Sequence, residues 1–324
     1  MKARRIAFAL VAAAFLSVAA HSRNEKSATS SSPDAAKPLL GRWDLTLKAP
    51  DREYPSWLEL RHENGQLKAE MVGRWGNARP LPTAELSNGN LKFVSPKEEE
   101  DSKADLVFEG QLNERILSGT LTGPDGKTWQ WTGRKAPALK RSTPPNWGSP
   151  IRLFNEKDLT GWHEDKPGAS PVWKVENGLL VRPDRGPELI NSSKFGDFKL
   201  HVEFNCGPDS NSGIYLRGRY EVQIETDSAG DAPSQRMGGV YGFLAPSPEP
   251  ARKPGEWQTY DITLIGRMVT VVLNGQTIIN NKEIPGITGG ALDSHEELPG
   301  PIYLQGSEKG RVIFRNIVIT PAGK

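Results

Sequence analysis

"DFKLHVEFNCGPDSNSGIYLRGRYEVQIETD", residues 197–227, decides the fold. Its first part alternates without a break. Phe198, Leu200, Val202 and Phe204 fall on one side of an extended chain, and Lys199, His201, Glu203 and Asn205 on the other. That is the pattern of a half-buried β-strand. "NCGPDS" is a turn, and "NSGIYLRGRYEVQIETD" (211–227) reads as a second strand. Its odd positions, Tyr215, Arg217, Arg219, Glu221, Gln223 and Glu225, then share one face. Packing does not call for so many hydrogen-bonding groups in a row. The face is either a wet outer surface or the floor of a site.

Strands recur on both sides of this segment. "TYDITLIG", "MVTVVLNGQTII", "PIYLQG" and "RVIFRNIVIT" follow it, and "GRWDLTLKA", "SWLELRH", "QLKAEMVG", "NLKFVS", "DLVFEGQL", "ILSGTLTG" and "TWQWTGR" lie far upstream. "ENGQ", "SNGN", "GPDGK" and "LNGQ" supply turns between them. No long stretch has helical periodicity, and 33 Gly with 26 Pro suit a turn-rich β protein. The expected class is all-β: a small antiparallel β-barrel or sandwich over 38–136, a Pro-rich linker over 137–149, and a jelly-roll sandwich of two packed sheets over 150–322. Trp43, Trp57, Trp75, Trp129 and Trp131 are expected mostly in the core or at the domain interface. "KEEED" (97–101) is expected to be a solvated loop.

The first residues have the form of an export signal. "MKARR" is basic, "IAFALVAAAFL" apolar, and "SVAA" ends in small residues, giving a signal peptide over 1–20. The Ser-rich, aperiodic stretch 21–37 is then a flexible tether. Removing Lys2, Arg4 and Arg5 would take the formal charge from +2 to −1. Such a chain gives no basis for a nucleic-acid partner. No later apolar run is long enough to span a bilayer. The expected location is therefore periplasmic or secreted. The oligomeric state is not readable.

GxSxG, HExxH, P-loop and dinucleotide fingerprints are all missing. The five histidines, at 21, 62, 163, 201 and 295, are scattered, which argues against a local zinc site. A calcium ion held in a loop by carbonyls and carboxylates is left open. Cys206, the single cysteine, reads as a buried structural thiol. Glu221 and Glu225 would lie roughly 13 Å apart along one strand, too far for the ~5–5.5 Å of a retaining glycosidase pair or the ~6.5–9.5 Å of an inverting pair. Arg219, Glu221 and Gln223 make a tighter cluster: a carboxylate to take a proton, flanked by groups for an oxyanion. Tyr215, Tyr220 and Tyr241 are an aromatic supply for sugar rings.

Eight segments occur in one order: "LFNEKDLTGW" (153–162), "WKVENG" (173–178), "FGDFKLHVEF" (195–204), "NSGIYLRGRYEVQI" (211–224), "GGVYG" (238–242), "KPGEWQTYDIT" (253–263), "LNG" (273–275), and "GPIYLQG" followed by "FRNI" (300–317). Together they resemble the 3-keto-disaccharide hydrolase domain family. The resemblance spans 151–320. It implies a concanavalin-like jelly roll, export from a bacterial cell, and cleavage of glycosides whose sugar is oxidised to a ketone at carbon 3. A 3-keto group acidifies the hydrogen on carbon 2, and the oxygen on carbon 1 lies β to the carbonyl. One base can therefore drive elimination of the aglycone, and addition of water completes a net hydrolysis. The resemblance implies Glu221 as base, with Arg219 and Gln223 stabilising the enolate. Arg217 and Gln305 position the sugar, with Tyr215, Tyr241 and Asp227 beside them. Many relatives continue "LQGDHG", whereas this chain has "LQGSEKG" (304–310), where Glu308 is the residue able to stand in for the histidine. Two other classes fit the same pattern: a lectin-like carbohydrate-binding protein without catalysis, and an ordinary glycoside hydrolase acting on unoxidised glycans.

Overall fold

In the computed structural model the described residues are 33–323, apart from 101, 167–171, 183–185, 227–228 and 307–309. The expected signal peptide, most of the expected tether, Asp227 and the 307–309 part of "LQGSEKG" lie outside them. Residues Pro33–Ala36, assigned above to the tether, form one helical turn, and Ala36 is buried.

The first nine strands are β1 (Gly41–Lys48), β2 (Glu53–Glu63), β3 (Gln66–Val72), β4 (Arg79–Pro80), β5 (Thr83–Ser87), β6 (Asn90–Ser95), β7 (Leu106–Asn113), β8 (Ile116–Thr122) and β9 (Thr128–Lys135). They form one antiparallel sheet in the order β4-β3-β2-β1-β9-β8-β7-β6-β5. The sheet curls until β5, at one edge, approaches β3 near the other. Alternate residues fill the inside, among them Leu45, Leu47, Leu58, Leu60, Phe93, Phe108 and Trp131. Asn64-Gly65 and Asn88-Gly89 reverse the chain with φ of 51° and 77°, and 51° and 79°, the left-handed conformations that tight hairpins need.

The remaining strands are β10 (Ile151–Arg152), β11 (Trp162–Glu164), β12 (Lys174–Glu176), β13 (Leu179–Arg182), β14 (Leu189–Asn191), β15 (Phe198–Cys206), β16 (Asn211–Leu216), β17 (Tyr220–Glu225), β18 (Trp257–Ile265), β19 (Met268–Leu273), β20 (Gln276–Glu283), β21 (Tyr303–Leu304) and β22 (Val312–Pro321). They form two antiparallel sheets. One runs β12-β13-β22-β15-β18-β19-β20, with β10 also on β22, and the other β11-β14-β21-β16-β17. Their apolar faces close on each other. Phe198, Leu200, Val202 and Phe204 come from β15, and Ile214, Leu216, Tyr220, Val222 and Ile224 from the opposite sheet. The molecule is thus an all-β chain with a concanavalin-like sandwich preceded by a curled antiparallel sheet. Among the described residues no helix is long and apolar enough to cross a membrane. Cys206 is buried in this core, which pushes its thiol up to about 11.

The two cores meet. Trp57 and Val72, on β2 and β3, belong to the sandwich core, and Trp57 packs edge-on against Phe243 at 5.2 Å. Gly286 makes room for the indole, since a Cβ there would lie 2.1 Å from the ring. The stretch 137–149 is pinned too: Pro137 O accepts from Arg267, and Trp147 bridges to Ala322. "KEEED" departs from expectation at Glu100, which is 1% exposed. Its carboxylate accepts from Arg79 at 2.6 Å and from Ser95 at 2.9 Å, and lies 3.7 Å from Arg74 Nε. Two arginines supply the charge that lets this carboxylate leave water. Removing the seam indole by Trp57→Ala should cost ~3–5 kcal/mol in urea unfolding, as for other large core truncations.

Candidate functional site

Residues 211–225 are two strands, which corrects the single-strand reading. Arg217 and Gly218 have φ of 53° and 70°, and Arg219 N bonds back to Leu216 O at 3.0 Å. This reverses the chain, so β16 and β17 pair as a hairpin with Tyr215 opposite Glu221. The connection holds three residues, 217–219, between Leu216 and Tyr220. An odd number keeps odd positions in register. Tyr215, Glu221, Gln223 and Glu225 therefore still share a face, the one turned away from the sandwich core.

Two rows of side chains cross that face. Pairing of β17, β16 and β21 aligns Glu221, Tyr215 and Tyr303. The two tyrosine rings stack at 4.1 Å with an interplanar angle of 6°. Tyr215 Oη lies 2.9 Å from Glu221 Oε2 and 2.7 Å from Gly289 O, so its one hydrogen serves either acceptor. The next row is Gln223, Gly213 and Gln305, with Gln305 N donating to Gly213 O at 2.9 Å. Leu189 pairs with Leu304, and one more step of that register puts Glu188 opposite Gln305. Glu188 Oε2 accepts from Gly306 N at 2.5 Å. Gly213 is the gap in this floor. A Cβ there would lie 2.2 Å from Glu221 Oε1, so the Glu221 carboxyl leans over the glycine backbone. Beyond it, Asn211 Nδ2 donates to Glu225 Oε2 at 2.5 Å.

Glu221 is 3% exposed. Burial is the main cause that pushes its carboxyl up to about 8; Tyr215 works the other way and the charge of Glu188 adds to the rise. Burial likewise pushes Glu188 up to about 7, against the Gly306 N–H. Three buried acceptors here have no partner: Glu221 Oε1, Gln223 Oε1 and Gln305 Oε1. They flank Gly213. Buried acceptors are normally paired, so three together mark a place for a donor-rich ligand, and sugar hydroxyls are such donors. Among the described residues no group of three His, Cys, Asp or Glu side chains could hold a metal ion.

The arginines go elsewhere. Arg219 Nε meets Asp293 Oδ1 at 2.7 Å and one of its terminal nitrogens donates to Leu298 O at 2.9 Å, so it ties down the loop after β20 and does not form a unit with Glu221 and Gln223. Arg217 donates to Tyr220 Oη at 3.0 Å and Gly266 O at 2.8 Å. Tyr220 in turn donates to Glu296, which also holds Arg267. Arg217 thus belongs to a buried network behind the sheet. Tyr241 is brought in: its N–H donates to Glu221 O at 3.1 Å, and its half-buried ring carries a hydroxyl 3.2 Å from Gln235 Nε2. Glu188 and Tyr303 escape detection in the sequence. Each is a lone polar residue in a short run, and only strand order brings them beside Glu221.

The N-terminal sheet also reaches this place. Its 73–78 loop, "GRWGNA", lies against Gly289, where a Cβ would meet Gly76 N at 2.5 Å. Gln235 bridges Asn77 and Tyr241. Trp75 is 39% exposed, with the Arg74 guanidinium 3.9 Å over its ring. A cavity of about 630 Å³ beside Trp43 and Asp44 contains none of these residues.

The profile of the 3-keto-alpha-glucoside-1,2-lyase-like domain matches residues 149–320. The chain belongs to this family. Membership places it among carbohydrate-active hydrolases of the glycosidase type. Similar solved structures include a candidate glycosyl hydrolase from Parabacteroides distasonis ATCC 8503, 28% identical over 56% of this chain and 92% of its own, with a TM-score of 0.44. Another from that organism is 25% identical over 53% of this chain and 98% of its own, with a TM-score of 0.42. No curated protein matches.

Glu221 holds its proton more tightly in the folded protein than in the unfolded chain. Its contribution is therefore most favourable below its ordinary value of 4.5 and is lost as pH rises towards about 8. Glu221→Gln should make urea-unfolding stability flatter across that window, with the variant gaining on the parent at pH 9 and not at pH 4.

Proposed function

We propose that this chain cleaves 3-keto-glycosides by removing the proton on carbon 2 and expelling the aglycone, with later addition of water. The carrying observation is the Glu221 carboxyl, buried without a cation, with one oxygen unpartnered over Gly213 and two unpartnered amide oxygens beside it. A base working on a carbon acid next to a ketone needs a raised proton affinity, and burial provides it. The family's description as 1,2-lyase-like supports elimination across carbons 1 and 2.

In this reading Glu221 Oε1 takes the carbon-2 proton. The C–H pair becomes the enolate, its charge rests on the carbon-3 oxygen, and the carbon 1–oxygen bond then breaks. Gln223 and Gln305 stand beside Glu221 with amide groups able to donate to the enolate and accept from sugar hydroxyls. Gln223 is held by the backbone of Gly238 and Gly239 and by Tyr260 Oη on its carbonyl at 2.6 Å. Arg219 acts at a distance, by fixing the 293–298 segment. Half-buried Tyr241 and exposed Trp75 are the aromatic surfaces at the rim.

Glu221→Gln should lower turnover of a 3-keto-glycoside ~10²–10⁴-fold, the usual weight of a general base, while calorimetry still shows binding. Wild-type turnover by that variant would sink the assignment. Trp75→Ala should raise KM for a 3-keto-disaccharide ~2–10-fold at unchanged melting temperature, the worth of one aromatic face contact. An unchanged KM would remove Trp75 from the site.

A further inference from the structure

We propose that the cavity at the β16–β17 turn is an oxyanion site, which takes a phosphate group on Arg217, Lys140 and Arg141, and that its occupancy steadies the hairpin carrying Glu221. The cavity shares no residue with the Glu221 face and does not depend on what that face does. The guanidinium of Arg217 points to a ligand. The residue is only 4% exposed. Among the described residues no carboxylate lies within ion-pair distance of it. Its Nη2 donates to two neutral groups, Tyr220 Oη at 3.0 Å and Gly266 O at 2.8 Å. Nε is buried with no partner, and Nη1 has none either among the described residues. A cation taken out of water normally has an anion to replace the lost solvation.

The network behind Arg217 does not supply that anion. Tyr220 gives its hydrogen to Glu296 Oε1 at 2.6 Å, and Glu296 Oε2 lies 3.0 Å from Arg267 Nη1. Glu296 is thus matched by Arg267. Asp44 is the other carboxyl beside Glu296. Burial first, and then the charge of Glu296, push it well above the usual carboxylate range, so it brings no second negative charge near neutral pH. Two arginines therefore share one carboxylate, and Arg217 is the one left over.

The cavity has a volume of about 370 Å³, and Arg217 lines it together with Lys140 and Arg141 of the stretch 137–149. Asp197 and Glu297 line it too. Asp197 is already engaged: Oδ2 accepts from Arg141 at 2.7 Å and Oδ1 from Gly266 N at 2.7 Å. Glu297 is exposed, 3.5 Å from His295 Nδ1. Neither carboxylate pairs with Arg217. The backbone leaves room. Gly266, at φ of 58°, packs against the stretch that carries Lys140 and Arg141, since a Cβ there would lie 1.7 Å from Leu139 O. At Gly196, also in the lining, a Cβ would meet nothing within 4 Å, so the approach is open. A phosphate group presents three acceptor oxygens, one for each cation, where a carboxylate has two. Binding also bears on the hairpin. Arg217 holds φ of 53°, a strained value for a residue with a Cβ, and Tyr220, to which it donates, directly precedes Glu221.

The test is calorimetry of the full chain with inorganic phosphate and with a hexose phosphate, at an ionic strength held by sodium chloride. The expected result is saturable binding that weakens about 10-fold or more in Arg217→Gln, the weight of a hydrogen bond to a charged group. In Lys140→Glu it should weaken about 3-fold or more, the weight of an exposed charge. Lys140 is exposed, so Lys140→Glu keeps the fold and carries the test where Arg217→Gln does not fold. Tighter binding of the hexose phosphate, lost in Lys140→Glu, makes a phosphorylated sugar the source; equal binding makes it free phosphate, and each supports the site. Hydrogen exchange reads the second part: phosphate should slow the amides of residues 216–221 in the parent and less in Lys140→Glu. Absence of saturable binding, binding heat that chloride reproduces, or undiminished affinity in Lys140→Glu or in a folded Arg217→Gln overturns the site. Unchanged exchange on binding overturns the link to the hairpin.

Discussion

A carboxyl group taken out of water without a cation keeps its proton unless something else replaces the lost solvation. The site is organised around that constraint. Two other buried carboxylates in this protein have arginine partners: Glu100 has Arg79, and Glu296 has Arg267. Those pairs fix structure. Glu221 has a tyrosine hydroxyl and, farther off, another carboxylate. Its proton is therefore poised to move. The sheet keeps it in place through the backbone, with Thr288 Oγ1 on Glu221 N at 3.0 Å and Gly239 O on Gln223 N at 2.9 Å. The side chain stays free of any fixed charge.

The fold was legible because it is written in period-two patterns and Asn-Gly turns, both local signals. Strands β6 to β9 and β15, β18, β19 and β22 coincide with alternating runs read directly from the chain. The strands that escaped, β4, β5 and β10 to β14, are mostly two to four residues long, too short for alternation to show. The hairpin at 217–218 escaped for another reason. Arg-Gly lacks the side-chain amide that makes Asn-Gly a recognisable left-handed pair, and an arginine at positive φ is held there by what its side chain bonds.

The site was half legible. Parity survived the missed turn because its connection has three residues, so Glu221, Gln223 and Tyr215 were rightly placed on one face. Arg217 and Arg219 were not, because they sit in the turn where alternation stops. Glu188, the residue before β14, and Tyr303, on β21, lie 33 residues before and 82 after Glu221 in the chain, and only the strand order β14-β21-β16-β17 makes them neighbours. A linear pattern carries no record of that order.

The same constraint explains a sheet that brings no catalytic group of its own. The raised proton affinity of Glu221 depends on keeping water away, and the outer face of a sheet cannot do that alone. The loop through Thr288 and Gly290 covers the tyrosine hydroxyls, and the 73–78 loop covers that loop in turn, with Gly76 against Gly289. Arg74, at the start of the covering loop, donates to Glu100 O at 2.7 Å, and the Glu100 carboxylate is held by Arg79 and Ser95 in the N-terminal sheet. A structural ion pair in one part of the chain thus supports the dry environment that an unpaired carboxyl needs in the other. Under the proposed function the contribution of the N-terminal sheet is to exclude solvent, which requires a fitted surface and leaves no motif.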